Sequence, residues 1–186
     1  MNRPTPRPPD VAPHLTRARL MALTLYQPWA TLIALGAKRI ETRAWSCPEA
    51  CLDRWIAIHA STRGRSAANL HRLLDREPFR SVLAAHDITA GTETDATLPR
   101  GAVVALAHLV ACVPTERVRW RLTASERAFG DYRPGRFAWS FDQVVRLSRP
   151  VRVRGARWLW TLPPDIETAV LEQGDPRHAP SHPPVA

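Results

Sequence analysis

The apolar positions of this chain change period several times, and each change marks an element. Residues 22–26 read as a short strand, and Trp29, Leu32 and Ile33 then fall at i, i+3, i+4, the spacing of a helix with one apolar stripe. Pro28 is placed to open that helix, and Gly36 to stop it. Residues 38–43 predict a strand, and the apolar run of residues 55–60 predicts a strand buried on both faces. Leu70, Leu73, Leu74, Val82 and Leu83 give helical spacing over 66–86, divided by Pro78. Residues 91–99 read as a polar loop. Residues 101–113 are too rich in Val for a comfortable helix and predict a long central strand.

Further on, Phe137, Trp139 and Phe141 alternate strictly, with Val144, Val145 and Leu147 following a bulge. Val151 and Val153 alternate with Arg152 and Arg154, and residues 158–160 close the set before a helix over 163–174. The pattern predicts an α+β domain over 21–162, a small β-barrel of six or seven mixed strands carrying short helices. Residues 1–20, with five prolines, and 175–186 have no apolar periodicity and read as disordered tails. Met21 is a candidate alternative start.

Charge sharpens this picture. The formal net charge is +9, but the N-terminal tail contributes +3 and residues 163–186 contribute −3, so the whole excess lies between 21 and 162. A folded basic surface suggests a polyanion, with nucleic acid first. Arg146, Arg149, Arg152, Arg154 and Arg157 fall within twelve residues. With Val151 and Val153 inward, Arg152 and Arg154 point outward together, as a phosphate track or as a charged strand that discourages edge pairing.

No run of about 18 apolar residues exists, and the Arg- and Pro-rich start is unlike a secretory signal, so a cytoplasmic protein without membrane contact is expected. Cys47 and Cys51, spaced C-x-x-x-C, offer the start of a zinc site with Cys112 or His59, but no second pair stands at ligand spacing; three cysteines without framework spacing fit a reducing compartment, two in a loop and one buried on a strand, with no metal or cofactor expected.

Of the 26 basic side chains only Lys38 is a lysine. Arg serves wherever a positive charge suffices, so the exception marks a position suited to a compact ammonium that burial can tune. It lies in Gly36-x-Lys38-x-x-Glu41-x-Arg43.

Together with residues 25–30 (LYQPWA), Trp45, residues 58–61 (IHAS), 98–101 (LPRG), 135–139 (GRFAW) and Gly155-x-x-x-Leu159-Trp160-x-Leu162, this segment resembles the ASCH domain, a branch of the PUA-like superfamily. The resemblance covers nearly all of residues 21–162. It implies a β-barrel with a cleft beside the lysine segment and a role in binding RNA, another nucleic acid or a modified nucleoside. Some branches of the family resemble transcription coactivator modules, which allows a protein partner. Others look like metal-independent hydrolases, either ribonucleases or enzymes that deacetylate N4-acetylcytidine. That deacetylating branch has a threonine nucleophile three positions after the lysine, where this chain has Glu41.

On this reading Lys38 and Glu41 are the candidate catalytic pair, and Gln27, Arg43, Trp45, His59, Ser61, Tyr132, Arg136, Arg152 and Arg154 the candidate ligand contacts. Regular strand alternation puts Lys38 and Glu41 on opposite faces. They share a cleft only if residues 36–37 bulge or the strand begins after Lys38; otherwise Glu41 and Arg43 pair outside the barrel. Gln27 either faces the cleft or ties down nearby backbone. His59 lines the rim or lies satisfied in the core. Arg136 forms a second cationic wall or an ordinary exposed strand position, and Trp45 is a better stacking candidate than Trp29.

Overall fold

A computed structural model of the chain describes residues 19–89 and 98–173. Of the tails read at 1–20 and 175–186, residues 1–18 and 175–186 lie outside the described residues, as does most of the 91–99 loop. Six strands form one mixed sheet: β1 (Met21–Leu25), β2 (Ile40–Arg43), β3 (Arg54–Ala60), β4 (Ala102–Pro114), β5 (Phe137–Arg152) and β6 (Leu159–Thr161), in the order β2-β5-β4-β3-β1-β6. β1 and β3 are parallel and the other neighbours antiparallel. The two segments read as separate strands around 136–147 and 151–153 are one, because bulges in the β4–β5 ladder let β5 bend and continue to Arg152.

The inner strands are covered on both sides, which explains their unbroken apolar runs. Leu23, Leu25, Ile56 and Ile58 face one core with Val104, Trp139 and Phe141; Ala22 and Ala57 face another with Leu106, Leu147 and Leu162. Helix α1 (Trp29–Ala34) packs on the first core through Ala30 and Ile33, and α5 (Pro164–Gln173) packs on the second through Val170. α2 (Ala67–Leu74), α3 (Phe79–Ala84) and α4 (Ala124–Phe129) build a third cluster around Phe79, Leu83 and Phe129.

Two local features set the geometry of the α1–β2 corner. Gly36 lies at φ +71°, the left-handed conformation that ends a helix at no steric cost. Pro28 is the N-cap rather than the first helical residue, and with no cap from its side chain the Thr31 amide hydrogen-bonds instead to Gln27 Oε1 at 3.2 Å.

The sheet curls into a half-barrel. β2 and β6 are its two edges, yet Arg43 at the end of β2 donates from Nη2 to the Thr24 carbonyl of β1 at 2.8 Å. Just beyond, the rings of Trp45 and Trp158 meet at 5.1 Å. Side chains, not a backbone ladder, therefore draw the two edges together.

On the other side of β1, Gly155 passes directly over His59. A Cβ there would lie 2.3 Å from His59 Cε1, 2.6 Å from Nδ1 and 3.1 Å from Thr24 Oγ1. His59 is fully buried and cannot swing into solvent. Gly155→Ala is accordingly expected to lower unfolding stability by about 1–3 kcal/mol in urea titration, the cost of overpacking; an unchanged midpoint would mean that the loop simply moves away.

Candidate functional site

β2 begins at Ile40, two residues after Lys38, so Lys38 is not bound by strand alternation. This fulfils the second of the two conditions for a shared site. The Lys38 side chain is completely buried. Its Nζ donates to the Ile40 carbonyl and lies 3.6 Å from Glu41 Oε2 and 3.9 Å from Glu126 Oε1. Glu41 Oε1 is in turn 3.3 Å from Arg43 Nε. The Glu41–Arg43 pair does form, but on the flank of the lysine rather than on an isolated outer face.

Glu126 is the member of this cluster that sequence reading missed. It lies on α4, whose N-cap Thr123 accepts the Glu126 amide at 3.1 Å. Thr-x-x-Glu is the local pattern of a capping box, in which the glutamate would fold back on its own helix. Here the carboxylate instead accepts the backbone N–H groups of Arg39 (2.9 Å) and Ile40 (3.1 Å) and the Tyr132 hydroxyl (3.1 Å). The available signal was the capping box itself; nothing in it told of a partner some 86 residues away.

Tyr132 thus joins the cluster through Glu126. Burial, with the negative charges of Glu126 and then Glu41, drives its phenol well above the ordinary range, so it stays a protonated donor. Arg136 is half-buried, donating from Nε to the Asp131 carbonyl at 3.1 Å and from Nη2 to the Thr42 carbonyl at 3.0 Å. It braces β2 from behind. Thr42 Oγ1 accepts the Asp131 amide, so its hydroxyl belongs to that brace.

The remaining candidates lie elsewhere. Gln27 is buried with both ends of its amide on backbone, Nε2 donating to the Pro99 carbonyl at 2.6 Å. Ser61 is buried and accepts the Arg63 amide. His59 lies in the interior, not at the rim: Nε2 meets the Val153 carbonyl at 3.1 Å, and among the described residues Nδ1 has no hydrogen-bond partner. Trp45 is half-buried, edge-on between Trp139 (4.7 Å) and Trp158, so Trp158 holds the exposed position. Arg152 and Arg154 are exposed as expected, along with Arg146, Arg149 and Arg157.

The cysteines invert the expectation for burial. Cys47 and Cys51 are buried, while Cys112 on β4 is half-buried. Burial, followed by the Cys112 thiol, pushes the Cys47 pKa up to about 12, which makes it an inert thiol. No group of three or more His, Cys, Asp or Glu positioned to hold a metal occurs among the described residues. No described helix is long and apolar enough to cross a membrane.

The ASCH domain family profile matches residues 23–139. The fold is similar to a crystal structure of ASCH from Zymomonas mobilis, at 18% identity and a TM-score of 0.50, covering 83% of this chain and 94% of that one. A mutant of the same Zymomonas mobilis protein aligns at 15% identity and 0.49, covering 84% and 96%. No curated protein sequence matches this chain.

Two outcomes test the electrostatics. Glu126→Ala removes one of the two carboxylates beside the buried ammonium and leaves two backbone donors unpaired, and should cost about 3–5 kcal/mol by chemical denaturation; Glu126→Gln, keeping an acceptor, should cost less. Burial holds the His59 pKa below its ordinary 6.5, outweighing the Val153 carbonyl. The unfolded chain therefore takes up a proton that the folded chain refuses as pH falls through 6.5, and stability declines below that value. His59→Gln should flatten this part of the stability–pH curve; an identical slope would assign it to other groups.

Proposed function

This chain belongs to the ASCH domain family, and on that footing we propose that it binds RNA or a modified nucleoside at the Lys38 cluster, with the outer arginines following the phosphate backbone. One observation carries the reading: Lys38 and Arg43 hold the Glu41 carboxylate from both sides at 3.6 and 3.3 Å, with Glu41 and Arg43 still 12% and 23% exposed. An oriented acceptor beside a partly open guanidinium complements a base edge that carries an exocyclic amine next to a ring acceptor, as cytosine does. The exposed Arg146, Arg149, Arg152, Arg154 and Arg157 add a sequence-independent attraction to phosphates.

A hydrolytic reading has one specific support, the complete burial of Lys38 beside two carboxylates and a protonated phenol. A desolvated lysine can move protons, with water as the nucleophile and no metal required. Glu41 stands at the threonine position of the deacetylating branch, which favours binding, or ribonuclease-type cleavage, over deacetylation.

Titrating labelled single-stranded RNA and a set of modified cytidines into the protein and Lys38→Met, across a salt series, tests this directly. The native protein should bind RNA with an affinity that falls steeply as salt rises, and the substitution should weaken nucleoside binding at least about tenfold. Product that disappears in Lys38→Met would shift the assignment to hydrolysis. Binding indifferent to both salt and Lys38 would reject the site and leave a protein partner.

A further inference from the structure

Trp158 is 63% exposed, although its neighbour Trp45 is half-buried and Trp139 fully so. Its backbone sits at φ +62°, a left-handed conformation that bulky residues rarely adopt. Such outliers persist where the surroundings hold them, and they gather at ligand clamps. The surroundings here are aromatic. Trp158 rests edge-on against Trp45 at 5.1 Å, Trp45 rests edge-on against Trp139 at 4.7 Å, and Trp139 Nε1 donates to the Trp45 carbonyl at 3.3 Å. The exposed indole is thus tied through two rings to the first core.

Its place relative to the charged cluster follows from the register. Leu159 pairs with Leu23 in the β1–β6 ladder, so Trp158 continues β6 alongside Thr24. The Thr24 carbonyl accepts Arg43 Nη2, and Arg43 Nε is 3.3 Å from Glu41. Exposed Arg154 and Arg157 precede Trp158 in the same segment. By contrast Trp120, at 66% exposure, has the Arg121 guanidinium 4.2 Å over its ring.

We propose that Trp158 is the stacking platform for an unpaired nucleobase, set beside the Arg43–Glu41 pair that reads the base edge. Every base has a π-face, so the stacking contact itself is tolerant of sequence, and the exposed Arg154 and Arg157 that precede Trp158 supply the phosphate contacts. The proposal rests on the RNA-binding reading above but adds a residue and a contact of its own.

The test compares a short oligocytidylate with an abasic oligonucleotide of the same length and phosphate count, binding measured by fluorescence anisotropy to the native protein, Trp158→Ala and Trp158→Gly. The native protein should prefer the base-bearing strand by about tenfold, the size of one stacking contact. Both variants should lose that preference while keeping the weaker, salt-sensitive affinity shared with the abasic strand. Both variants give up the Trp45 contact, but Trp158→Gly, at ease at positive φ, should melt above Trp158→Ala while losing the preference equally, which separates lost stacking from lost folding. A preference retained in the variants, or absent from the native protein, overturns the platform and leaves RNA binding standing. Failure of the native protein to bind either strand overturns both.

Discussion

The buried ammonium of Lys38 is the constraint to which the rest of the site answers. Removing such a charge from water costs several kcal/mol even after relaxation, and only close partners offset that. An ammonium has three protons to place. Here one goes to the Ile40 carbonyl, and Glu41 and Glu126 flank the group from two different elements. To bring Glu126 there, α4 must dock against the start of β2, where its carboxylate also takes the Arg39 and Ile40 amides. One desolvated charge thereby fixes where β2 starts and where the segment before β5 folds back.

The second organising feature is the open sheet. A six-stranded sheet with two bare edges invites pairing with other chains. In this fold the edges curl toward each other, and the gap is spanned by Arg43 and by the Trp45–Trp158 contact. The side chains that close the fold are also those that border the charged cluster. A seam held by side chains leaves aromatic faces and guanidinium donors partly open, which a continuous backbone ladder would have covered.

Much of this was legible in the sequence, for physical reasons that can be named. β3 and the first half of β4 announce themselves because strands buried on both faces need unbroken apolar runs. Gly36 marks a left-handed turn that few other residues accept, and Lys38 stands out because arginine fills every other basic position. What was not legible depends on contacts between distant segments. Periodicity could not tell whether β2 began at Lys38 or at Ile40, and that two-residue difference decides whether Lys38 and Glu41 share a site. Glu126 carries an ordinary local signature, and only tertiary docking redirects it. His59, at the end of an apolar run, left rim and core open; it is interior because Gly155 crosses above it. Gln27, an unusual residue before a helix, left a ligand contact and a backbone tie open, and its hydrogen bonds to the Thr31 amide and the Pro99 carbonyl are the backbone tie.

Charge balance separates the roles of the two basic regions. Lys38 and Arg43 face Glu41 and Glu126, two positive against two negative, so the cluster is close to neutral as a unit. A neutral, largely desolvated cluster has little attraction for a phosphate, because the nearby carboxylates repel the anion as strongly as the cations draw it. Arg136 does not alter this, since its guanidinium lies 3.5 Å from Asp131, which Arg133 and Arg136 hold ionised with its pKa lowered to about 2. The cluster suits a neutral, hydrogen-bonding edge, whereas the exposed arginines of β5 and of residues 154–157 suit the backbone. Phosphate contacts of that kind position a strand without reading it, and base contacts read it. On the proposed reading, the balance would place affinity on the outer surface and discrimination at the seam.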